Sequence, residues 1–397
     1  MIDISKRSYL KYLLFGSLYF AEGLELALAT VIIPIYLHTE KGFSLPLTTL
    51  IAGMVMVPWV LKFIWGGIVD YFIRFGRKWF ILMGSLLGVV SFFILVFIDP
   101  VVALIPFVFF LFLSHVGVGF LDVSADAWAI EMSQEGERGK LNGAMFTGLF
   151  GGMAVGAAFL SFIAQLFGYS AAFLTTGLFI LLAIIFPLTI KEVKMVKKRQ
   201  KMGSLLVGEF KKKTTQLIAI FAPMLAISIG LLTFVIPLYM STSLQLDLAQ
   251  IGLIVSVFPI ATVVGSLIGG ALADKWGRKN PLYVFIWASI FFTAALIFAN
   301  TWLILAVIYG IIGFLRGGYY VAEMAMCMDV TNPKVGATQF SILTSLGNVG
   351  ELGGGMAGGT LIALLGFSRT FLYAAWIFGP ALLILHFIKL KKRVRKP

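Results

Sequence analysis

The sequence predicts an all-α integral membrane protein with twelve transmembrane helices, arranged as two similar six-helix halves. Three observations predict this class. Apolar residues make up 60% of the chain and charged residues only 12%, about half the charged share that is usual in soluble domains. Apolar stretches of membrane-spanning length follow one another along all 397 residues. A charged motif also occurs twice, half a chain apart.

The apolar stretches are about 20 residues long, which is enough for a helix to cross roughly 30 Å of hydrocarbon. Strands of a membrane barrel would instead show alternating segments of about ten residues. The mean hydropathy is +0.99. We number the predicted spans 1 to 12 and place them at residues 12–37, 48–70, 78–98, 101–127, 140–167, 171–190, 216–240, 250–273, 281–299, 303–328, 336–364 and 369–388.

The basic residues predict the orientation. The net charge is +13, and Lys and Arg concentrate before span 1, between spans 6 and 7, after span 12 and in the other even-numbered connections. The opposite loops hold only Lys41 and Arg369. This asymmetry predicts a multi-pass protein of the cell membrane with both termini in the cytoplasm. Topology alone explains the charge, so we expect no nucleic-acid partner, although the basic tail could bind anionic lipid headgroups.

The duplicated motif marks a repeat of the whole bundle. Its two Asp residues are 204 positions apart, and similar segments in spans 1 and 7, 2 and 8, and 4 and 10 keep offsets of 203, 201 and 194. The repeat predicts an N-terminal bundle at 1–190 and a C-terminal bundle at 216–388. Between them lies a basic linker at 191–215, with a short helix near Leu205–Phe210, and the basic tail is 389–397. The two copies of the motif are Gly66-Gly-Ile-Val-Asp70 with Gly76-Arg77-Lys78, and Gly270-Ala-Leu-Ala-Asp274 with Gly277-Arg278-Lys279.

Two parallel six-span halves that carry this loop motif resemble the major facilitator superfamily. The resemblance implies that fold, transport by alternating access, and a cytoplasmic gating latch at the two motif copies. Each Asp ends a helix where the dipole disfavours an anion, so we expect the loop Arg or a helix N-terminus to compensate it. The alternative interpretation is an ordinary basic loop closed by a helix-ending glycine.

The first copy of the motif departs from the common form, because five residues separate Asp70 from Gly76. The segment Pro58-Trp-Val-Leu-Lys62-Phe-Ile-Trp65 before it resembles span 2 of the muropeptide permease (AmpG) and acetyl-CoA transporter group, whose members also lengthen this loop. The segment from Gly119 to Glu131 resembles span 4 of the same group.

Ionisable residues inside the predicted spans are the candidate substrate and coupling residues. Each costs about 2.5–3.5 kcal/mol at the centre of a membrane helix, so it persists where it pairs or lines a water-filled path. In the superfamily that the chain resembles, spans 1, 4, 7 and 10 line the central cavity, which favours Glu22, Asp122 and Arg316. The full set is Glu22, Glu25, Lys62, Asp122, Asp126, Arg316, Glu323 and Glu351.

Asp122 and Arg316 occupy equivalent positions in the two halves with opposite charge. We expect them to face one another, or a shared ligand, across the axis that relates the halves. Asp122 and Asp126 share one helical face, and two close carboxylates rarely both ionise at low dielectric. One of them is therefore a candidate proton carrier, and Lys62 could neutralise the other. Alternatively, Asp126 and Glu131 make structural salt bridges near the cytoplasmic interface, and Lys62 pairs with an acid of span 1 or 4 to hold the N-terminal half together.

The second half offers two further candidates. Glu351 lies in a glycine-rich stretch of span 11, where the glycines favour close helix packing, and it could pair with Arg316. Tyr320 lies four residues after Arg316, so the two could share a ligand face; packing is the alternative. For Arg316 itself, contact with the solute and structural pairing both remain open.

These observations predict a secondary active transporter for a small anionic or amphipathic solute, coupled to protons. A proton-linked multidrug or metabolite exporter is the first alternative, and a transporter-like receptor or a lipid scramblase is the second. The three His residues lie at different depths and no phosphate-binding loop occurs, so we expect neither an enzyme nor ATP drive. We expect a monomer in contact with solute, proton and membrane lipid, with no cofactor and no metal.

Overall fold

The computed structural model describes residues 3–4, 7–132, 138–192, 203–332 and 335–390. Residues 193–202 of the predicted linker and 391–397 of the predicted tail lie outside this part. Within it, eleven helices are long and apolar enough to cross a membrane. They are Ser8–Glu40, Leu45–Tyr71, Arg77–Leu95, Leu104–Met132, Lys140–Phe167, Tyr169–Thr189, Lys213–Thr242, Leu248–Trp276, Lys279–Phe298, Trp302–Val330 and Gly336–Phe387.

The first ten of these helices are spans 1 to 10 in order, and the eleventh contains two spans. Gly336–Phe387 has 52 residues, whereas about 20 suffice for one crossing. Gly366 interrupts it with φ 74° and ψ 170°, a left-handed backbone conformation that glycine adopts without steric cost. The chain therefore reverses there, and spans 11 and 12 lie on either side of Gly366. The prediction of twelve membrane crossings is confirmed.

Local sequence signals set several helix starts. Asp247 precedes span 8 and accepts a hydrogen bond from Gln250 N at 2.8 Å, while Gln250 Oε1 accepts from Asp247 N at 3.1 Å. This reciprocal cap satisfies two backbone donors at the start of the helix. Gly76 and Gly277 precede spans 3 and 9 with φ of 91° and 83°. Glycine is needed at both positions because the chain turns sharply from one span into the next.

Proline irregularities occur in spans 1 and 2. Span 1 contains wide helical turns at Leu28–Ile32 and Tyr36–Glu40, on either side of Pro34. Span 2 breaks at Leu61, three residues after Pro58, into Leu45–Val60 and Lys62–Tyr71. At this break the Trp65 indole donates to the Pro58 carbonyl at 2.7 Å, which satisfies an acceptor near the irregular turn. Spans 7 and 8 continue as α-helix through the equivalent prolines.

The packing within each half follows the repeat. Span 1 packs along span 5, and span 7 packs along span 11. Glycines permit the second contact, because a Cβ added at Gly350 or Gly354 would overlap the backbone of span 7. A Cβ at Gly148 or Gly152 would likewise overlap the backbone of span 1. The prediction that the glycines beside Glu351 serve close packing is confirmed.

The two halves meet through spans 2 and 11 and through spans 5 and 8. These two contacts are equivalent in the repeat, because span 2 corresponds to span 8 and span 5 to span 11. We call the end of the bundle that carries Ser8 and Phe387 the terminal face, and the opposite end the far face. The outer ends of spans 1 and 7 approach each other at the far face, where Thr39 Oγ1 lies 2.7 Å from Ser241 Oγ. Gln165 Oε1 accepts from Ala249 N at 2.7 Å, and Gly359 N donates to Thr49 Oγ1 at 3.0 Å. The far face is therefore closed by contacts between the halves.

A short helix, Gly203–Phe210, precedes span 7, at the position where the sequence predicts one in the linker. Its Glu209 accepts a hydrogen bond from Asn332 Nδ2 at 2.8 Å, and Lys212 Nζ lies 2.5 Å from the same carboxylate. Asn332 follows span 10, so this segment is joined to the terminal face of the second half.

Candidate functional site

The N-terminal half holds a buried cluster of polar side chains from spans 1, 2 and 4. Lys62 Nζ lies 2.7 Å from Asp122 Oδ2. The Tyr19 hydroxyl lies 2.9 Å from Asp122 Oδ1 and 2.5 Å from Asp126 Oδ1. Asp122 is 1% exposed. Asp122 and Asp126 therefore share one face of span 4, as their spacing predicts, and Tyr19 links them.

Glu22 extends this cluster along span 1. The Trp59 indole donates to Glu22 Oε1 at 2.7 Å, and Lys62 Nζ lies 6.0 Å from the centre of the Trp59 ring. Glu22 is 2% exposed and interacts electrostatically with Asp122, Asp126 and Lys62. We call the residues Tyr19, Glu22, Trp59, Lys62, Asp122 and Asp126 the acid cluster.

The C-terminal half holds a different cluster on spans 10 and 11. Arg316 Nη2 lies 3.1 Å from Glu351 Oε2, as the sequence predicts. The guanidinium carbon lies 4.6 Å from the centre of the Tyr320 ring and 5.4 Å from that of Tyr319, within the range of cation–π attraction. Glu323, one turn further along span 10, is 4% exposed. We call these five residues the arginine cluster.

Asp122 and Arg316 each pair within their own half. Asp122 binds Lys62 of span 2, and Arg316 binds Glu351 of span 11. The side chain of Glu351 is 35% exposed, whereas that of Asp122 is 2% exposed. Contact between the halves near these groups comes from Phe146 of span 5, whose ring centre lies 6.4 Å from that of Tyr320. A shared ligand for Asp122 and Arg316 stays a prediction.

Glu25 lies apart from the acid cluster, although it is only three residues after Glu22. Glu25 is 2% exposed, and its Oε1 lies 3.5 Å from His115 Nδ1 of span 4. His115 Nδ1 is also 3.0 Å from the Leu111 carbonyl. The two glutamates flank a small cavity between spans 1, 3, 4 and 6.

The first motif copy forms an ion network at the terminal face. Arg77 Nη2 lies 2.7 Å from Asp70 Oδ1 and 3.3 Å from Glu131 Oε1. The backbone N–H groups of Arg77 and Lys78 donate to Glu192 Oε1. An anion is favoured at this helix start, where the backbone donors have no helical partner. Glu131 thus makes the structural salt bridge that the sequence offers as one alternative.

The second copy repeats the arrangement. Arg278 Nη1 lies 2.9 Å from Asp274 Oδ1, and its Nε donates to Asp329 Oδ2 at 3.0 Å. Burial disfavours the charged form, yet hydrogen bonds to Asp329 and Asp274 outweigh it and raise the pKa of Arg278. In both copies the loop Arg compensates the Asp that ends the preceding span, which confirms that expectation.

The second basic residue of each copy joins two further helices. Lys78 Nζ donates to the carbonyls of Leu188 and Ile190 at 3.0 and 2.9 Å. Lys279 Nζ donates to the carbonyls of His386 and Ile388 at 3.1 and 3.0 Å. A cation at the C-terminal end of a helix satisfies carbonyls that have no helical partner. The motif therefore ties span 3 to span 6 and span 9 to span 12.

The motif glycines fall into two groups. Gly76 and Gly277 have positive φ, and a Cβ at Gly76 would also overlap the Glu192 carboxylate. A Cβ at Gly66 would meet open space, and one at Gly270 would meet Val321 at an ordinary 3.4 Å. Of the motif glycines, Gly76 and Gly277 are the two that the backbone requires.

Sequence reasoning missed Tyr19, Trp59, Glu192 and Asp329. Trp59 stands inside the span 2 segment that carries the family resemblance, and Tyr19 lies one turn before Glu22 on the same span, so their positions offered a signal. Glu192 and Asp329 follow or end other spans, and their contacts with the motif depend on the tertiary fold. Among the described residues, no group of three His, Cys, Asp or Glu side chains is placed to hold a metal ion.

The sequence matches the family model of the Major Facilitator Superfamily over residues 15–224 and 217–397. The chain belongs to the major facilitator superfamily. This membership indicates transport of solutes rather than enzymatic catalysis, and it agrees with a multi-pass membrane protein. It also confirms the family that the duplicated motif predicts.

Two relatives represent different transporters. The chain is 24% identical over 383 residues to "Putative transporter AmpG 4" of Rickettsia conorii, which covers 89% of this chain and 91% of the relative. It is 25% identical over 383 residues to "Multi-drug resistance efflux pump PmrA" of Streptococcus pneumoniae, covering 94% and 93%. The resemblance to the AmpG group is therefore matched by a relative of that name.

Solved structures share the fold. An inward-facing, unoccupied bacterial homolog of the human lysosomal transporter Spinster superposes with a TM-score of 0.77, at 14% identity and 96% coverage of both chains. A D-xylose-proton symporter superposes with a TM-score of 0.69, at 16% identity, covering 97% of this chain and 96% of the symporter. These similarities establish the twelve-helix architecture.

Proposed function

We propose that this protein is a proton-coupled secondary transporter of a small anionic or amphipathic solute. The observation that carries the proposal is the position of the Tyr19 hydroxyl between Asp122 and Asp126. A hydroxyl has one hydrogen, so it can donate to only one of two carboxylates. The second short contact is favourable when one Asp is protonated and donates to the hydroxyl oxygen.

In this proposal the ion pair assigns the proton to the other Asp. Asp122 pairs with the Lys62 ammonium at 2.7 Å. Asp126, 2.5 Å from Tyr19, is then the protonated partner: it donates to Tyr19, and Tyr19 donates to Asp122. Loss of the proton from Asp126 would break this chain, so the protonation state alters the packing of spans 1 and 4.

The arginine cluster supplies the solute site in this proposal. Arg316 is held by two aromatic rings and by Glu351, whose side chain is 35% exposed. A carboxylate or phosphate of the solute could displace the partly exposed Glu351 carboxylate from Arg316. A guanidinium binds such anions through two parallel hydrogen bonds. Tyr320 would contact the apolar part of such a solute.

Alternating access would open the two clusters to one face and then to the other, as the halves rock around them. The far face is closed by contacts between the halves, which fits an inward-facing state if the terminal face is cytoplasmic. The excess of Lys and Arg at that face supports the assignment. The two motif networks would act as the cytoplasmic latch, holding span 2 to span 4 and span 8 to span 10.

The test has two stages, because the solute must first be found. A thermal-shift screen of metabolites on the purified parent and on Arg316→Ala identifies solutes that stabilise only the parent, since binding to the folded state raises its stability. Uptake of such a solute is then measured in proteoliposomes with and without an imposed pH gradient. Accumulation that requires the gradient supports the proposal, and equal uptake in both conditions refutes the coupling.

A second candidate is multidrug export, which the similarity to the efflux pump PmrA favours. A drug exporter would bind cations at the acid cluster without Arg316. Stabilisation by structurally diverse cations, unchanged in Arg316→Ala, would favour this alternative over an anionic solute.

A further inference from the structure

The acid cluster has a buried neighbour that the proposed coupling does not use. Glu25 and Glu22 both line a cavity on the side of span 1 that faces spans 3, 4 and 6. The cavity is small and admits roughly one water molecule. Besides the two glutamates, its lining includes Ser85 and Gly88 of span 3, Ser114 of span 4 and Ile180 of span 6.

Each of the two glutamates that line this cavity has one buried oxygen without a hydrogen-bond partner. Glu22 Oε2 and Glu25 Oε1 are buried, and neither has a hydrogen-bond partner within the described residues. The Ser114 hydroxyl donates to the Leu111 carbonyl at 2.8 Å, and His115 Nδ1 lies 3.0 Å from that carbonyl but 3.5 Å from Glu25 Oε1. A buried acceptor without a donor destabilises the folded state, and does so more strongly when it is charged. Two such oxygens around one water-sized space need a donor between them.

The charges around the pair demand a proton as well. Glu22 faces Trp59 and Lys62 of span 2, Asp122 and Asp126 of span 4, and Tyr19 of its own span. Lys62 already pairs with Asp122. Glu25 faces His115 of span 4, whereas spans 3 and 6 line the cavity with apolar residues, glycine and Ser85. Two ionised carboxylates three residues apart on one buried helix would repel each other strongly.

We propose that Glu22 and Glu25 share one proton through a single internal water molecule in this cavity. With the proton on Glu25, its carboxyl donates to the water oxygen and the water donates to Glu22. Transfer moves the Glu25 proton to the water while the water releases a proton to Glu22, so charge and atoms balance. Glu25 is then an internal proton store behind the acid cluster. Its role in transport rests on the proposed coupling, whereas the shared proton does not.

Gly88 offers a way to remove the water without changing any charge. A Cβ at Gly88 would lie 3.5 Å from Ile180 Cδ1 and 4.0 Å from Glu25 Oε2, both ordinary contacts. Gly88→Ala should therefore fold normally and fill the cavity. Gly347→Ala is the matched control, because its Cβ would meet only Ala222 Cβ at 4.0 Å, in the other half.

The experiment is infrared difference spectroscopy across a pH step, on full-length protein in phosphatidylcholine vesicles, with the proton itself as the probe. In this experiment the parent is the Asp126→Asn protein, which lacks the protonated carboxyl group assigned above to Asp126, and every variant carries that change. The parent and Gly347→Ala should show the band of a hydrogen-bonded protonated carboxyl group. Glu25→Gln should take up one proton fewer per chain and lose that band. Gly88→Ala should shift the band to the higher frequency of a carboxyl group without a hydrogen-bond partner.

Three results would overturn the proposal. A Glu25→Gln spectrum with the parental band would show that Glu25 holds no part of the proton. A Gly88→Ala band at the parental frequency would exclude the bridging water. If the band disappears when sodium chloride replaces choline chloride, the cavity holds a sodium ion. If the spectra behave as expected but uptake ignores a pH gradient, the coupling fails and the shared proton stands.

Discussion

The two halves of this protein agree at the terminal face and differ at mid-depth. Both motif copies place an Arg on the Asp that ends the preceding span, at 2.7 Å in the first half and 2.9 Å in the second. In the middle of the bundle the first half surrounds one Lys with three carboxylates and Tyr19, whereas the second surrounds one Arg with aromatic rings and a half-exposed Glu351. In the proposed function, the two halves keep equivalent latches and divide the chemistry, with proton-binding groups in one half and an anion-binding group in the other.

The largest effect is expected from Asp122→Asn, which leaves Lys62 without its partner at 2.7 Å. Removing one member of a buried ion pair costs about 3–5 kcal/mol. We therefore expect a loss of about 3 kcal/mol in the free energy of unfolding and no proton-driven uptake. The double variant Lys62→Met with Asp122→Asn should regain stability but not coupling. Thermal unfolding and liposome uptake of both proteins measure this, and a fully active Asp122→Asn would contradict it.

Arg316→Ala should separate binding from stability in the other half. Its partner Glu351 is 35% exposed, so water can solvate the remaining charge and the loss of stability should be about 1 kcal/mol. The affinity for an anionic solute should fall at least tenfold, or about 1.4 kcal/mol. Glu351→Gln is the control and should bind the solute at least as well as the parent. Calorimetric titration measures these affinities, and an equal affinity in the parent and Arg316→Ala would show that Arg316 does not bind the solute.

The ion networks of the two motif copies should contribute differently to stability, although their arrangement is equivalent. Arg77 is 3% exposed and binds Glu131, which is 7% exposed, whereas Arg278 binds Asp274 and Asp329, which are 72% and 38% exposed. Arg77→Ala should therefore cost about 3 kcal/mol, and Arg278→Ala less than about 1 kcal/mol. Melting temperatures of the two variants test this order, and a larger loss for Arg278→Ala would reverse the comparison.

The two motif glycines should show a smaller difference in the same direction. Alanine at a left-handed position costs about 1 kcal/mol, so Gly277→Ala should lose about that much stability. Gly76→Ala should lose about 2 kcal/mol, because its Cβ would also displace Glu192. Gly66→Ala, where a Cβ meets open space, is the control. Equal losses at Gly76 and Gly66 would show that the turn does not need glycine.

The smallest effect concerns a surface ion pair at the far face. The hydrogen bonds from Lys41 and from the Val101 backbone hold the pKa of Asp99 below its usual range. Because the pKa of Asp99 is lower in the folded state, its ionised carboxylate stabilises the protein at pH values above the unfolded-state pKa of about 3.9. This stabilisation is lost as the pH falls through the folded-state pKa. The parent should therefore lose slightly more stability than Asp99→Asn on acidification below about pH 4. Parallel acid-unfolding curves would exclude a role for the pair.

The sequence predicted most of the fold because hydropathy and repetition are local signals. Span lengths, the duplicated motif and the split at Gly366 follow from residues that act within one turn or one loop. The pairing of Arg316 with Glu351 was also predictable, since both are costly ions in adjacent spans of one half. The expectation that Asp122 and Arg316 face one another or a shared ligand stays a prediction, because each has an ion-pair partner in its own half.

Other contacts could not be read from the chain because they join residues that are distant in sequence. Glu192 reaches the start of span 3 from 115 residues away, and Tyr19 reaches Asp122 across 103. Their residue types gave no sign of these roles, since a tyrosine in an apolar span is usually a packing residue. The cavity beside Glu25 likewise depends on glycines of span 3 and span 4 approaching span 1.

Solute-dependent proton movement tests the central claim most directly. Purified protein is placed in weakly buffered proteoliposomes that contain a pH-sensitive dye. The solute that the thermal-shift screen identifies is then added outside. We predict that solute entry acidifies the interior for the parent, is lost in Arg316→Ala because the solute no longer binds, and continues without acidification in Asp126→Asn. Solute entry that leaves the internal pH of the parent unchanged would contradict the division of labour between the two halves.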